Sequence, residues 1–351
     1  MAEPLVTTPL PECTELTPEE FRGRVLPSAE PVVIRGLVRD WPAVKAAEQG
    51  PGQAAEYLST FDKGQPVETI FGDPKIEGKF FYSDDVRQLN FVRRTVPLAL
   101  SLDAILQRVT APDGGTIYIQ SVPTDDFLPG FSAAHPMPLV PAGVGPRIWV
   151  GNRLTVQTHF DLSQNIAAVV AGRRRFTLFP PEQLENLYVG PFELTLAGPP
   201  ISMVRLEDPD HDKYPRFREA LRHARSAELE PGDAIYIPYF WWHHVESLTD
   251  FNILLNFWWN ETAEELGSPF DALLHAIVAI RDLPPRERAP WEAMFNQYVF
   301  EKNGSPVEHL PEHARGALGP HTPELRRKLW ATLAQAVGRT ASLVHGRKPR
   351  D

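Results

Sequence analysis

Thirty-six of the 351 residues are proline, about one in ten where a soluble domain usually carries about one in twenty. Proline offers no N–H to a hydrogen-bond ladder and clashes with the preceding helical turn, so helix interiors and central strands exclude it. Such a chain is cut into many short elements joined by loops. With 42% hydrophobic and 23% charged residues, it nevertheless has the apolar content to build a core. The 35 Lys and Arg against 45 Asp and Glu leave a net charge of −10, which argues against a nucleic-acid partner. The basic runs Arg326-Arg327-Lys328 and Arg347-Lys348-Pro349-Arg350 read as solvated helix face and tail. One cysteine, Cys13, excludes an intramolecular disulfide and a cysteine zinc cage. The N-terminal Met-Ala-Glu-Pro carries no apolar signal region, and the longest apolar runs, residues 166–171 and 251–259, fall far short of a membrane span. A cytoplasmic protein with no membrane partner is expected.

Local patterns divide the chain into three parts. Thr17-Pro18-Glu19-Glu20 predicts a capped helix start, and residues 31–36 a short buried strand closed by Gly36. Leu102, Ile105, Leu106 and Val109 share a helical face, with Ser101 as cap. From Thr116 the pattern changes to strand-length runs at residues 117–120, 166–171, 174–179, 234–238 and 251–258, punctuated by Gly172, Pro180-Pro181 and Pro231-Gly232-Asp233. No helical pattern alternates with these runs, so a doubly wound parallel sheet is disfavoured. The fold class expected is mainly β, an antiparallel sandwich or barrel. Beyond Glu261, Ser268-Pro269 opens a helix with Phe270, Leu273, Leu274, Ile277 and Ile280 on one face, and Thr322-Pro323 opens another with Leu325, Leu329, Leu333 and Ala336. These helices either cover the sheet or form a dimer interface. The expected division is 1–115 as an α/β region packing on the core, 116–262 as the β core and 263–351 as a helical region. The proline-rich stretch 123–146 reads as a loop with the makings of a lid.

His159-Phe160-Asp161 is the candidate chemical motif. On a strand, residues i and i+2 face the same side, so an imidazole and a carboxylate converge on one ion. A histidine from a distant strand would complete a 2-His-1-carboxylate face with three open positions, which suits Fe(II) and O2. The bland alternative is a chance H-x-D whose histidine is simply packed. A second segment, residues 231–248, runs as turn, buried strand and aromatic wall (Trp241, Trp242), ending in His243 and His244. Spacing leaves open which of the two points inward.

Together these anchors resemble the jumonji C and cupin-like Fe(II)/2-oxoglutarate oxygenases, most of all the asparaginyl hydroxylase of hypoxia-inducible factor. The resemblance runs in order over about residues 30–260. It takes in residues 31–36, Ile117-Tyr118-Ile119-Gln120, His159-Phe160-Asp161 with Gln164-Asn165, Leu178-Phe179-Pro180-Pro181, Leu187-Tyr188, Asp208-Pro209-Asp210, Trp241-Trp242-His243-His244 and Asn256-Phe257-Trp258. It implies a double-stranded β-helix (jelly roll) in which His159, Asp161 and His243 hold Fe(II) and His244 packs behind them. Arg174, where the hydroxylase carries lysine, and Tyr118 would bind the far carboxylate of 2-oxoglutarate, with Asn165 and Asn256 lining the site. The family's co-substrate threonine aligns with Val156, so either Thr155 or Thr158 substitutes for it or the contact is lost. Phe81, Ile201 and Trp258 are candidate substrate contacts. The residues gripping a substrate carboxamide align with Pro200 and Ile201, neither of which can hydrogen-bond it through a side chain.

The implied activity is hydroxylation of a peptide or protein side chain, with O2 consumed and 2-oxoglutarate decarboxylated to succinate and CO2. The competing readings are the same chemistry on a free amino acid or small metabolite, and a non-catalytic cupin-like scaffold. Histone demethylation is disfavoured because no chromatin-reading module accompanies the domain. A homodimer through the C-terminal helices completes the expected partners.

Overall fold

The computed structural model describes residues 7–111, 114–196, 198–262 and 266–345. The chain divides into two compact units, Met1–Glu261 and Thr262–Asp351. Short strands fill the first, as the proline content demands: β1 Thr8–Pro9, β2 Glu12–Cys13, β3 Val32–Ile34, β4 Pro66–Gly72, β5 Phe91–Pro97, β6 Thr116–Pro123 and β7 Arg147–Gly151. There follow β8 Leu154–Phe160, β9 Gln164–Ala171, β10 Arg174–Phe179, β11 Arg225–Leu229, β12 Ala234–Ile237, β13 Trp242–Ser247 and β14 Asn252–Trp259. Nine form one sheet in the order β2-β3-β12-β9-β14-β7-β6-β4-β5, and five form a second, β1-β11-β10-β13-β8. The strand pairs are antiparallel except β1 with β11 and β2 with β3. This is the jelly-roll sandwich, with strands β2 to β5 from the first hundred residues built into the larger sheet.

Period-two alternation sorts the side chains into layers. On β9, Ala167 and Val169 face inward, meeting Phe176, Leu178 and Val245 of the smaller sheet. Ile166, Ala168 and Val170 face outward, covered by Val44, Leu58, Leu102 and Ile105 from the helices Pro42–Glu48, Pro51–Ser59 and Leu98–Thr110. The outer face of the smaller sheet packs Phe160, Phe179 and Trp242 against Phe217 of the helix Phe217–Arg222.

The Thr17–Glu20 cap forms in both directions, Thr17 N–H to Glu20 Oε2 at 3.0 Å and Glu20 N–H to Thr17 Oγ1 at 3.2 Å. Ser101 does not cap its helix. That helix begins at Leu98, directly after Pro97, and Ser101 is buried within it, its hydroxyl 2.9 Å from Thr69 Oγ1. A proline-set entry serves where the serine cap was expected.

Residues 123–146 are not a lid. Leu128, Phe131, Met137 and Leu139 belong to the core under the helices. His135, buried against Phe131 with ring centroids 4.0 Å apart, donates from Nδ1 to the Phe131 carbonyl (2.7 Å) and accepts at Nε2 from Ala43 N–H (3.1 Å). A histidine from this segment therefore satisfies an orphan donor in the first turn of the helix Pro42–Glu48. Burial holds its pKa below the usual histidine value, so the folded protein keeps it neutral. Its contribution is fully present above the unfolded pKa of about 6.5 and is lost as pH falls through the lower folded value. His135→Gln retains an acceptor without a charge. Thermal melts from pH 7 to pH 5 should show a shallower loss of Tm in that variant than in the wild type.

In the second unit, Ser268 caps the helix Pro269–Ile280 by accepting from Phe270 N–H at 3.1 Å, and Leu325 N–H donates to Thr322 Oγ1 at 3.2 Å at the start of Pro323–His345. Among the described residues, the helices Pro269–Ile280 and Pro285–Tyr298 bury none of theirs. No helix of the described residues is long and apolar enough to cross a membrane.

Candidate metal and co-substrate site

The site is built where β8 and β13 pair at the edge of the smaller sheet. Trp242 stands opposite Phe160 and His243 opposite His159, but Val245 then stands opposite Val156. Two residues of β8, Gln157 and Thr158, therefore answer His244 alone: a β-bulge, which re-aims side chains. Without it Val156 and His159, three apart, would face opposite sides; with it both line one cavity. The inward member of the histidine pair is His243. His244 turns to the far face, its Nδ1 3.4 Å from Thr158 Oγ1, and burial pushes its pKa down to about 3. Thr158, expected at the co-substrate, faces away with it, and Val156 takes the cavity position. Thr155 lies opposite Glu246 and does not line the cavity.

The ligating atoms of His159, Asp161 and His243 lie within 4.8 Å of one another, and His243 Nε2 is 3.6 Å from Asp161 Oδ2. Each imidazole is oriented by its own strand. His159 Nδ1 donates to the Gln157 carbonyl (2.7 Å) and His243 Nδ1 to the Trp241 carbonyl (3.0 Å). Both Nε2 lone pairs are thereby left for a cation. Burial, reinforced by the His243 charge, holds His159 well below the usual histidine range, so it stays neutral. Burial also raises the Asp161 carboxyl, against the opposing pull of His243 and Asn165. Two buried imidazoles and a desolvated carboxylate form a donor set that a divalent cation would relieve of its desolvation cost. Asn256 Nδ2 donates to Asn165 Oδ1 (2.9 Å), and Asn165 Nδ2 in turn reaches Asp161 Oδ2 (3.4 Å). The two asparagines thus act on the carboxylate as a relay. The residues fit a metal of the 2-His-1-carboxylate kind.

The co-substrate end is built by alternation along β10. Arg173 and Arg175 point outward to Glu228, at 3.6 and 2.6 Å, while Arg174 points inward and is only 1% exposed. Its Nε and Nη2 have no hydrogen-bond partner among the described residues. Its polar neighbour is the Tyr118 hydroxyl, whose pKa burial pushes up to about 12, so it remains protonated. A buried guanidinium with no counter-ion is unfavourable unless a ligand carboxylate supplies one. The Arg174 side chain therefore fits the far carboxylate of 2-oxoglutarate.

Tyr118, Arg174, Asn165, Asn256 and Trp258 line the same cavity as the three ligands. Phe81 and Ile201 do not line it. Phe81 turns outward beneath Arg205, whose guanidinium carbon sits 4.6 Å from the ring centroid, and its neighbour Phe80 lines the cavity instead. Ile201 is buried beside the site, its backbone bridged to His159. Ile70, Phe91, Gln120, Trp149 and Leu196 also line it. Gln120 was discoverable as the i+2 neighbour of Tyr118; the others lie outside any motif and arrive through sheet order.

Fold and site define a jelly-roll domain of the cupin type with a buried two-histidine, one-carboxylate set. The chain belongs to the Cupin-like domain family, which it matches over residues 18–265. Proteins of this jumonji C-type class typically bind Fe(II) and 2-oxoglutarate and carry oxygenase-type chemistry. The chain is similar to HSPB1-associated protein 1 of Homo sapiens, 25% identical over 288 residues, covering 74% of this chain and 54% of that protein. It is also similar to tRNA wybutosine-synthesizing protein 5 of Gallus gallus, 26% identical over 288 residues, 73% of this chain and 78% of that protein. A shorter match is to Lysine-specific demethylase JMJ31 of Arabidopsis thaliana, 36% identical over 102 residues, 29% of this chain and 18% of that protein. The chain spans about half the length of HSPB1-associated protein 1.

Proposed function

We propose that the protein is an Fe(II)- and 2-oxoglutarate-dependent oxygenase that hydroxylates a side chain of a peptide or protein. The observation carrying this reading is that Arg174, buried and without a counter-ion, opens on the same cavity as the His159, Asp161 and His243 ligand atoms. Bound together, the metal and 2-oxoglutarate would supply the oxidation, with O2 consumed and succinate and CO2 released. The chain's own share is to hold and orient. His159 and His243 present Nε2 because backbone carbonyls fix their other nitrogens, Asp161 is steadied through Asn165, and Arg174 with Tyr118 anchors a carboxylate. The aromatic walls exclude water. A net charge of −10 favours a peptide over an RNA substrate, although one relative's name refers to tRNA. Pro200 and Ile201 stand where a carboxamide-gripping pair would be needed, so the reading does not extend to asparagine in particular.

Calorimetry on anaerobic Mn(II)-loaded protein tests this directly. Saturable, metal-dependent binding of 2-oxoglutarate is expected; no binding would return the protein to the scaffold class. The reading includes a homodimer through the C-terminal unit. Leu273, Val278, Trp291 and Met294 on two helices, with Val299 and Phe300 in the turn after the second, are large and exposed, the kind of apolar clustering that marks an interaction surface. Sedimentation equilibrium should give twice the 39.4 kDa chain mass; a single-chain mass at micromolar concentration would remove the dimer from the proposal.

A further inference from the structure

A residue that gives the cavity further polarity is Gln120, which alternation places on the side of Tyr118, and a second bulge directly after it turns the chain away from the cavity. On β6 and β7, Ile119 stands opposite Val150, but Val122 stands opposite Ile148, so Gln120 and Ser121 together face Trp149 alone. The shift returns Val122 to the helix-covered core beside Ile117 and Ile119 while leaving Gln120 on the cavity side with Tyr118. It requires Ser121 to sit in the left-handed region, φ +53°, a conformation that is unfavourable for a residue with a Cβ. Arg147 holds it there, donating from Nε to Ser121 Oγ (2.6 Å) and from Nη2 to the Ser121 carbonyl (2.7 Å). The bulge and the left-handed serine withdraw Val122 from the cavity wall and leave Gln120 as the last side chain of this strand on it, the kind of local cost that persists where the lining of a site is set.

The amide is also oriented. Gln120 Nε2 donates to the Leu196 carbonyl at 3.4 Å, and Arg93 donates to the same oxygen. The opposite end, Oε1, is buried and has no partner among the described residues. Across the bulge, Trp149 Nε1 is likewise buried without a partner. The other cavity residues at this side, Ile70, Phe80, Phe91 and Leu196, are apolar. Once the metal ligands and Arg174 are assigned, one acceptor, Gln120 Oε1, and two indole donors, Trp149 Nε1 and Trp258 Nε1, are left without a partner among the described residues of the lining; Trp258 stands at the Asp161 end, and Trp149 is the one opposite Gln120 across the two strands.

We infer that Gln120 Oε1, with Trp149 Nε1 beside it, selects the oxidised substrate: an uncharged group carrying a hydrogen-bond donor and an acceptor, such as a carboxamide or an alcohol. A carboxylate would face the Oε1 lone pairs and could be accommodated only if the amide turned and abandoned Leu196. An alkylammonium would enter a cavity whose carboxylate, Asp161, is committed to the metal and whose fixed cation is Arg174. The inference rests on the oxygenase reading and narrows its substrate class.

The test uses full-length protein loaded with Mn(II) and 2-oxoglutarate, titrated with isobutyramide, isobutyrate and isobutylammonium while tryptophan fluorescence is followed. The wild type should bind isobutyramide at least about tenfold more tightly than either charged isostere, because a polar group left unpaired in a buried site weakens binding strongly. Gln120→Leu should lose about tenfold in isobutyramide affinity, and Gln120→Glu should invert the order in favour of isobutylammonium. Binding of 2-oxoglutarate, measured on the same samples, should be unchanged in both variants, which also reports that they fold. If the wild type binds 2-oxoglutarate but does not discriminate among the three probes, or binds none of them, the role of Gln120 is refuted and the oxygenase reading stands. Unaltered preference in both variants refutes that role equally. Failure of the wild type to bind 2-oxoglutarate refutes the parent reading instead.

Discussion

Arg174→Met is expected to abolish 2-oxoglutarate binding and, in the same protein, to raise the melting temperature of the ligand-free state. Both effects come from one unpaired charge. In the ligand-free protein the guanidinium is 1% exposed with Nε and Nη2 unsatisfied, and burial lowers its pKa. Replacing a buried, poorly compensated charge with an apolar side chain of similar length commonly stabilises a fold by about 1–4 kcal/mol. In a protein of this size each kcal/mol moves Tm by roughly 2–4 °C. The same substitution removes the partner of a buried ligand carboxylate, an effect of about 3 kcal/mol or more, so Kd should rise by at least about a hundredfold. Arg174→Lys keeps the charge but loses the planar fork and should fall between the two. Scanning calorimetry and titration on the same preparations give both quantities. A lower Tm in Arg174→Met would mean that the guanidinium is already satisfied within the fold, and unchanged binding would remove it from the co-substrate site.

Asp161→Ala is expected to reduce succinate formation to background and to weaken Mn(II) binding by at least about a hundredfold. It removes the anionic member of the ligand set, leaving His159 and His243 with ring centroids 4.2 Å apart and no charge to offset the cation. Asn165→Ala, which removes only the 3.4 Å hydrogen bond to Oδ2, should weaken the metal by roughly tenfold, the low end for residues that orient ligands. The ordering of these two variants in a Mn(II) titration is the measurement. Equal losses would place Asn165 on the metal itself, and undiminished succinate formation by Asp161→Ala would exclude the carboxylate as a ligand.

The sequence carried the parts of this molecule that depend on local chemistry. Proline density determined that the elements are short. Period-two alternation put Arg174 inward between two outward arginines, and it placed His159 and Asp161 on one face. Capping chemistry at Thr17, Ser268 and Thr322 was readable from four residues at a time. What the alternation rule could not supply was its own exceptions. Thr158 lies away from the co-substrate by plain alternation from His159, but the bulge at Gln157-Thr158 reverses the facing of what precedes it, which is why Val156 reaches the cavity. The bulge at Gln120-Ser121 likewise sends Val122 to the helix side, while Gln120 keeps the cavity side that alternation from Tyr118 gives it. The choice of Phe80 over Phe81, the arrival of Trp149, Phe91 and Leu196 at the site, and the use of His135 to cap a helix some ninety residues away depend on which strands and loops become neighbours. A local pattern states that a side chain has a face; only sheet order and register decide what that face meets.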